Sequence, residues 1–151
     1  MTTQRLNASK KQQLSLLLPS KGRFLDLILT LLFTRTVTSS QFSVKFVICA
    51  NYSGFQIALL RALFSSRALV IDERKEPAGS MIGAYNLAFE YAKKAQSTWV
   101  ALWADDLFPA SKDWLTALTH EISAPGFKFG IFSSDEGGHK SKYGWNIFAG
   151  Y

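Results

Sequence analysis

"SMIGAYNLAFEYAKKAQSTWVALWADD", residues 80 to 106, runs from a helical pattern into an apolar strand and stops on two adjacent carboxylates. Ser80 stands where an N-cap belongs. Tyr85, Ala88, Phe89, Ala92 and Ala95 share one face of the helix expected from Met81 to about Ala95. "STWVALWAD" then reads as a buried strand. A helix that feeds directly into such a strand is half of a repeating unit, and its neighbours in the chain repeat it.

Toward the N-terminus, "LSLLLPS" (14 to 20) reads as a first strand, stopped by Pro19. Residues 24 to 39 follow as a helix, with Leu25, Ile28, Leu29, Leu32 and Phe33 at helical spacing. "SVKFVICAN" (43 to 51) is a second strand, and Gly54 breaks the chain before the helix "FQIALLRALF". "ALVIDE" (68 to 73) is a third strand, closed by a loop at Pro77 and Gly79. Toward the C-terminus, Ser111 suits the N-cap of "KDWLTALTHEI", with Asp113 in its first turn, and "FKFGIFSS" is a fifth strand. This alternation predicts an α/β fold: an open, mostly parallel sheet with helices on both faces.

The 151 residues suffice for one domain, expected over residues 14–151 after a flexible N-terminus at 1–13. The single cysteine, Cys49, excludes an intramolecular disulfide and a multi-cysteine metal site, and reads as a small buried hydrophobe. "FLDLILTLLF" is too short to span a bilayer and contains Asp26, so no transmembrane segment is expected and a cytoplasmic location is the default. The net charge of +6 is uneven: residues 1 to 75 carry 11 Lys and Arg against 3 Asp and Glu. A basic half permits an anionic partner. The cations are scattered through separate elements and no nucleic-acid-reading motif accompanies them, so a basic nucleic-acid binder is the least favoured of the functional readings.

In an open parallel sheet, ligands bind at the carboxyl ends of the strands, which makes those ends the candidate positions. The first strand ends in "PSKGR", whose Arg23 and backbone N–H groups suit a phosphate or a base edge. No Walker sequence and no GxGxxG are present. The second strand ends in Asn51, which pairs with a nucleobase or closes its own turn. Asp72 and Glu73, beside Arg74 and Lys75, read as a solvated charge cluster. Asn86 is an indifferent helix former inside an apolar helix and needs a partner, either backbone or ligand. Asp105 and Asp106 repel each other and are costly to desolvate, a problem that a cation would relieve. On an extended chain they point to opposite faces, so one can ligate Mg²⁺ or Mn²⁺ while the other orients a sugar hydroxyl or a metal-bound water.

Together these residues resemble the nucleotide-sugar-binding half of a GT-A glycosyltransferase, nearest to the family 2 group, with its Rossmann-like sheet. "LSLLLPSKGR" is similar to the family's opening strand, "FVICANYSG" to its second strand, and "SMIGAYNLAFEYAKKAQSTWVALWADDLFPASKDWL" to the block that carries its DXD-like motif. The resemblance implies that Asp106 is the main ligand of Mn²⁺ or Mg²⁺ and that Asp105 lies near the ribose or the metal. It implies that Pro19, Ser20 and Arg23 line the nucleotide pocket, that Asn51 meets the base, and that Asn86 faces the same pocket from its helix.

The activity implied is transfer of a sugar from a nucleoside-diphosphate sugar, with a uridine donor favoured, to an unknown acceptor, by an inverting displacement. The alternative is a catalytically incomplete module that only binds the nucleotide sugar. Asn51 stands where many members carry Asp, and Ala104 where a third acidic or polar residue is common. The chain stops at Tyr151, earlier than family members do, so the domain is expected to be incomplete at its C-terminus. Asp135 and Glu136 come too early to match the family's general base, and no catalytic base is assigned. His120 and His139 read as structural or solvated. Tyr143 and Trp145 suit either sugar stacking or core cover.

Overall fold

The computed structural model describes residues 13–37, 43–109, 114–116, 129–133 and 146–150. The elements, in chain order, are β1 (Gln13–Lys21), α1 (Phe24–Val37), β2 (Ser43–Asn51), α2 (Gly54–Phe64), β3 (Ala68–Asp72), α3 (Met81–Lys94), β4 (Trp99–Leu102), β5 (Phe129–Ser133) and β6 (Asn146–Gly150). They form one sheet of order β3-β2-β1-β4-β6-β5. β1 is parallel to β2 and β4, and β2 is parallel to β3. β6 alone runs against its neighbours, antiparallel to both β4 and β5. This is the α/β, Rossmann-like arrangement that the alternating pattern predicts.

β1 explains why the sheet is covered on both sides. Leu14, Leu16, Leu17 and Leu18 are all buried, so apolar side chains leave both faces of a strand whose residues alternate. Leu14, Leu16 and Leu18 join one core with Leu27 and Leu31 of α1 and Ile57, Leu60 and Phe64 of α2. Leu17 joins the opposite core with Val47, Ile71, Val100 and the small side chains Ala88 and Ala92 of α3. Ser15 shares that second face without wasting its hydroxyl, which lies 2.6 Å from the hydroxyl of buried Ser97.

The helix starts are set by local chemistry. Ser53 caps α2 through a capping box with Gln56, and the side chain of Ser80 accepts from the backbone N–H of Gly83 at the start of α3. Gly83 has a second reason to be there: a Cβ at that position would meet the carbonyl oxygen of Ala78 at 1.9 Å.

Two expectations are corrected. α1 does not bury Leu25, Leu29, Leu32 and Phe33, which are 75%, 55%, 44% and 45% exposed; it buries Leu27, Thr30, Leu31 and Thr34. Apolar residues surround this helix, so spacing alone does not choose a face. Thr30 helps to choose it, because its hydroxyl donates to the backbone carbonyl of Asp105 at 2.7 Å. The second correction is β6, an antiparallel strand between β4 and β5 for which the sequence pattern offered no counterpart. Among the described residues, no helix is long and apolar enough to cross a membrane.

The α1 correction is measurable. Leu31→Ala should destabilise the protein by about 2–5 kcal/mol, as for other fully buried leucines. Leu29→Ala should stay within about 0.5 kcal/mol, as for exposed positions. Urea denaturation of both variants checks this, and equal losses would contradict the observed face.

Candidate functional site

The chain moves outward from β1 through β2 to β3, then returns to place β4 on the other side of β1. Connections therefore leave the carboxyl ends of β1 and β4 in opposite directions, which opens a crevice between them. A cleft of about 670 Å³ lies there. Pro19, Ser20, Lys21 and Arg23 line it from the end of β1, Asn51 from β2 and Glu73 from beyond β3. Ser80, Met81 and Ala84 contribute from the start of α3, and Ala104, Asp105 and Asp106 from the turn after β4. Gly22 makes the exit from β1 feasible, since its φ of 78° lies in the left-handed region that other residues avoid.

The two aspartates do not sit on an extended strand. β4 ends at Leu102, and Asp105 and Asp106 occupy a turn closed by the Leu107 N–H on the Ala104 carbonyl at 3.3 Å. Their side chains meet different partners, Ser20 for Asp105 and Arg23 for Asp106. The turn is anchored through Trp103, which is 3% exposed. Its backbone N–H donates to the Leu17 carbonyl at 2.9 Å, and its indole Nε1–H to the Leu107 carbonyl at 3.1 Å. Its own carbonyl accepts from the Tyr85 hydroxyl of α3 at 3.2 Å. With Thr30 donating from α1 to Asp105, both helical layers hold the turn.

Asp105 accepts the Ser20 hydroxyl on Oδ2 at 2.6 Å, and Ser20 Oγ lies 2.5 Å from the hydroxyl of Tyr52. Ser20 has one proton, and the carboxylate can only accept. The chain therefore runs from Tyr52 to Ser20 to Asp105. Burial pushes the Tyr52 hydroxyl above its ordinary pKa, and the negative charge of Asp105 adds to the rise, which keeps Tyr52 a donor. Asp106 forms an ion pair with Arg23. Both partners are substantially exposed, so the pair is worth at most about 1 kcal/mol and is readily exchanged.

Six of the seven residues expected at the site, Pro19, Ser20, Arg23, Asn51, Asp105 and Asp106, thus meet in one cleft. Asn86 does not line it; it is exposed on α3, beyond the residues of that helix that reach the cleft. Lys21 and Glu73, read only as charges at strand ends, also line the cleft, and Tyr52 was not anticipated. Asp72 corrects another expectation. It is buried, and it accepts from Arg74 Nε at 2.8 Å and Nη2 at 2.7 Å and from the Arg74 backbone N–H at 3.2 Å. Arg74 faces a second recess of about 420 Å³, lined also by Gly22, Phe24, Asn51, Tyr52, Ser53 and Gln56. His120, Asp135, Glu136, His139, Tyr143 and Trp145 lie outside the described residues, as do the N-cap expected at Ser111 and most of the helix after it.

Among the described residues, no three His, Cys, Asp or Glu side chains converge as a ready-made metal cage. Asp105 and Asp106 are the carboxylates of the cleft that could hold a cation between strand ends. In the described hydrogen bonds, Asp105 and Asp106 each engage Oδ2 alone. Two carboxylates of hard oxygen, completed by water and phosphate, are what Mg²⁺ and similar ions take. Cys49 is buried, and its thiol is pushed up to about 11, mainly by that burial, which favours the protonated form. Compared with known proteins, the chain matches no family model and no curated protein.

The Asp72–Arg74 contact has a signature in acid. Hydrogen bonds from Arg74 push the Asp72 carboxyl down to about 2 from an ordinary 3.8. Because the folded value is depressed, its stabilisation is complete above about pH 4 and disappears as pH falls through about 2. The difference in melting temperature between wild type and Asp72→Asn should therefore be largest above pH 4 and shrink toward pH 2. A difference independent of pH over that window would show that the carboxylate's charge contributes nothing.

Proposed function

We propose that the chain is a glycosyltransferase-like domain that takes a nucleoside-diphosphate sugar into the crevice between β1 and β4 with the help of a divalent cation, Mn²⁺ or Mg²⁺. The observation that carries this reading is the meeting of Asp105 and Asp106 with Ser20, Arg23 and Asn51 in one cleft at the sheet's switch point. Asp106 is the better placed ligand, because its only described partner is an exposed, exchangeable arginine. Asp105 supplies the second carboxylate and is held in place by Ser20, Tyr52 and Thr30.

The protein's own groups divide the work. Ser20 and Thr30 fix Asp105 from its side chain and its backbone, so the carboxylate does not have to be ordered when ligand arrives. Arg23, freed from Asp106, leaves a guanidinium in the cleft to donate to phosphate oxygens. Lys21 adds positive charge beside it. Asn51, at the end of β2, offers an amide to the base. The metal, when bound, supplies positive charge to the diphosphate as it leaves the sugar. Glu73 is the one carboxylate among the described lining residues that this scheme leaves uncommitted. A module that binds the nucleotide sugar without turnover is the second reading, and donor hydrolysis or transfer by the wild type separates the two.

Calorimetric titration of UDP and GDP, with and without Mn²⁺, tests the donor site. At least one nucleotide should bind in a metal-dependent way, and Asp106→Ala should abolish the metal dependence. Ser20→Ala, acting through Asp105, should cost about 10-fold in metal-dependent affinity, the scale for groups that orient a metal ligand. No binding of either nucleotide to the folded wild type would remove the assignment.

A further inference from the structure

We propose that Arg74 reads the base, and that the base is guanine; the inference rests on the donor-site reading above and adds to it the class of nucleotide. Asn51 lines both the cleft that holds Asp105 and Asp106 and the smaller recess that Arg74 faces. A nucleotide whose diphosphate lies at the two aspartates extends past Asn51 into that recess, which at about 420 Å³ has room for a purine.

The recess is rich in donors. A guanidinium can donate two parallel hydrogen bonds along either of two edges, Nε with Nη2 or Nη1 with Nη2. Buried Asp72 takes the first edge, through Nε at 2.8 Å and Nη2 at 2.7 Å, and fixes the plane of the group. The second edge is left for a pair of acceptors. A Cβ at Gly54 would lie 3.8 Å and 3.9 Å from the two terminal nitrogens, so a glycine keeps a bulkier side chain off that end. Gln56 accepts from the backbone and the hydroxyl of Ser53 on Oε1, which leaves its Nε2 to donate. No carboxylate is among the described residues lining this recess.

Guanine carries two acceptors side by side, O6 and N7, the pair that arginine engages with two parallel bonds. Uracil presents O4 beside a C–H and satisfies one of them. Asn51 is the counterpart on the other flank. Its amide oxygen can accept a ring N–H from either base, N1–H of guanine or N3–H of uracil, so the choice between them falls to Arg74. Arg74 is thus a group of fixed orientation whose free edge matches one base better than the other.

Calorimetry at saturating Mn²⁺ with GDP, IDP, 7-deaza-GDP and UDP tests this on the wild type, Arg74→Ala and Arg74→Lys. GDP should bind about 10-fold tighter than UDP, the scale of one hydrogen bond to a charged group. IDP, which keeps O6 and N7, should stay near GDP, and 7-deaza-GDP, which lacks N7, should fall to the level of UDP. Arg74→Ala should weaken GDP more than UDP and bring the two to the same affinity, and lysine, a point charge without the fork, should not restore the preference.

UDP binding as tightly as GDP, or 7-deaza-GDP matching GDP, overturns the assignment of the base while leaving the donor site in place. The same holds if Arg74→Ala weakens both nucleotides equally. If no nucleotide binds the wild type with or without Mn²⁺, the donor site and this inference fall together. The 7-deaza comparison uses the unaltered protein, so the outcome does not depend on how well the Arg74 variants fold.

Discussion

A central strand that is apolar on both faces and paired on both edges is the constraint on which this structure depends. β1 needs cover above and below, and it receives α1 and α2 on one side and α3 on the other. It also needs neighbours along both edges, and receives β2 and β4. Once β4 lies beside β1 in parallel, two carboxyl ends adjoin and their connections diverge. The core and the cleft are two results of the same strand placement.

The adjacent carboxylates then have to be accommodated where apolar layers end. Hydrogen bonds come from every neighbouring element: Ser20 from β1, Thr30 from α1, Tyr52 behind Ser20, and Tyr85 from α3 through the backbone of Trp103. These contacts offset the cost of removing Asp105 from water, and they leave Asp106 toward solvent with Arg23. The asymmetry gives two identical side chains different work, one ordered by protein and one exchangeable.

What the sequence disclosed follows from how much each signal depends on distant partners. The four parallel strands and three helices were legible because their apolar runs are continuous, Gly54 breaks the chain before α2 and Ser80 marks the start of α3. Strand ends gave six of the residues that line the cleft, since the position of a parallel strand's carboxyl end is a local property of the chain. The inner face of α1 was not legible, because leucine and phenylalanine surround the helix and the deciding contact, Thr30 with Asp105, joins residues 75 positions apart. Asp72 and Arg74 looked like solvated charges, because nothing nearby in the sequence shows that the end of β3 is covered. β6 is a short run whose meaning comes only from the gap between β4 and β5. Asn86 attracted notice as a polar residue in an apolar helix, yet it has the ordinary place of such residues, on the exposed face.

The hydrogen bond between Ser20 and Asp105 spans 85 positions of the chain. No stretch shorter than that can assemble the cleft, however well its own helices form. During synthesis, β1, β2 and β3 can pair before β4 exists, and until Trp99–Leu102 arrives one edge of β1 has no partner. An open edge on a strand of leucines is a template for the wrong neighbour. Closing it depends on a contact of high sequence separation, which is slow to form. The step that completes the cleft is therefore also the step that closes the open edge of β1. A ligand bridging β1 and β4 would stabilise that long-range junction.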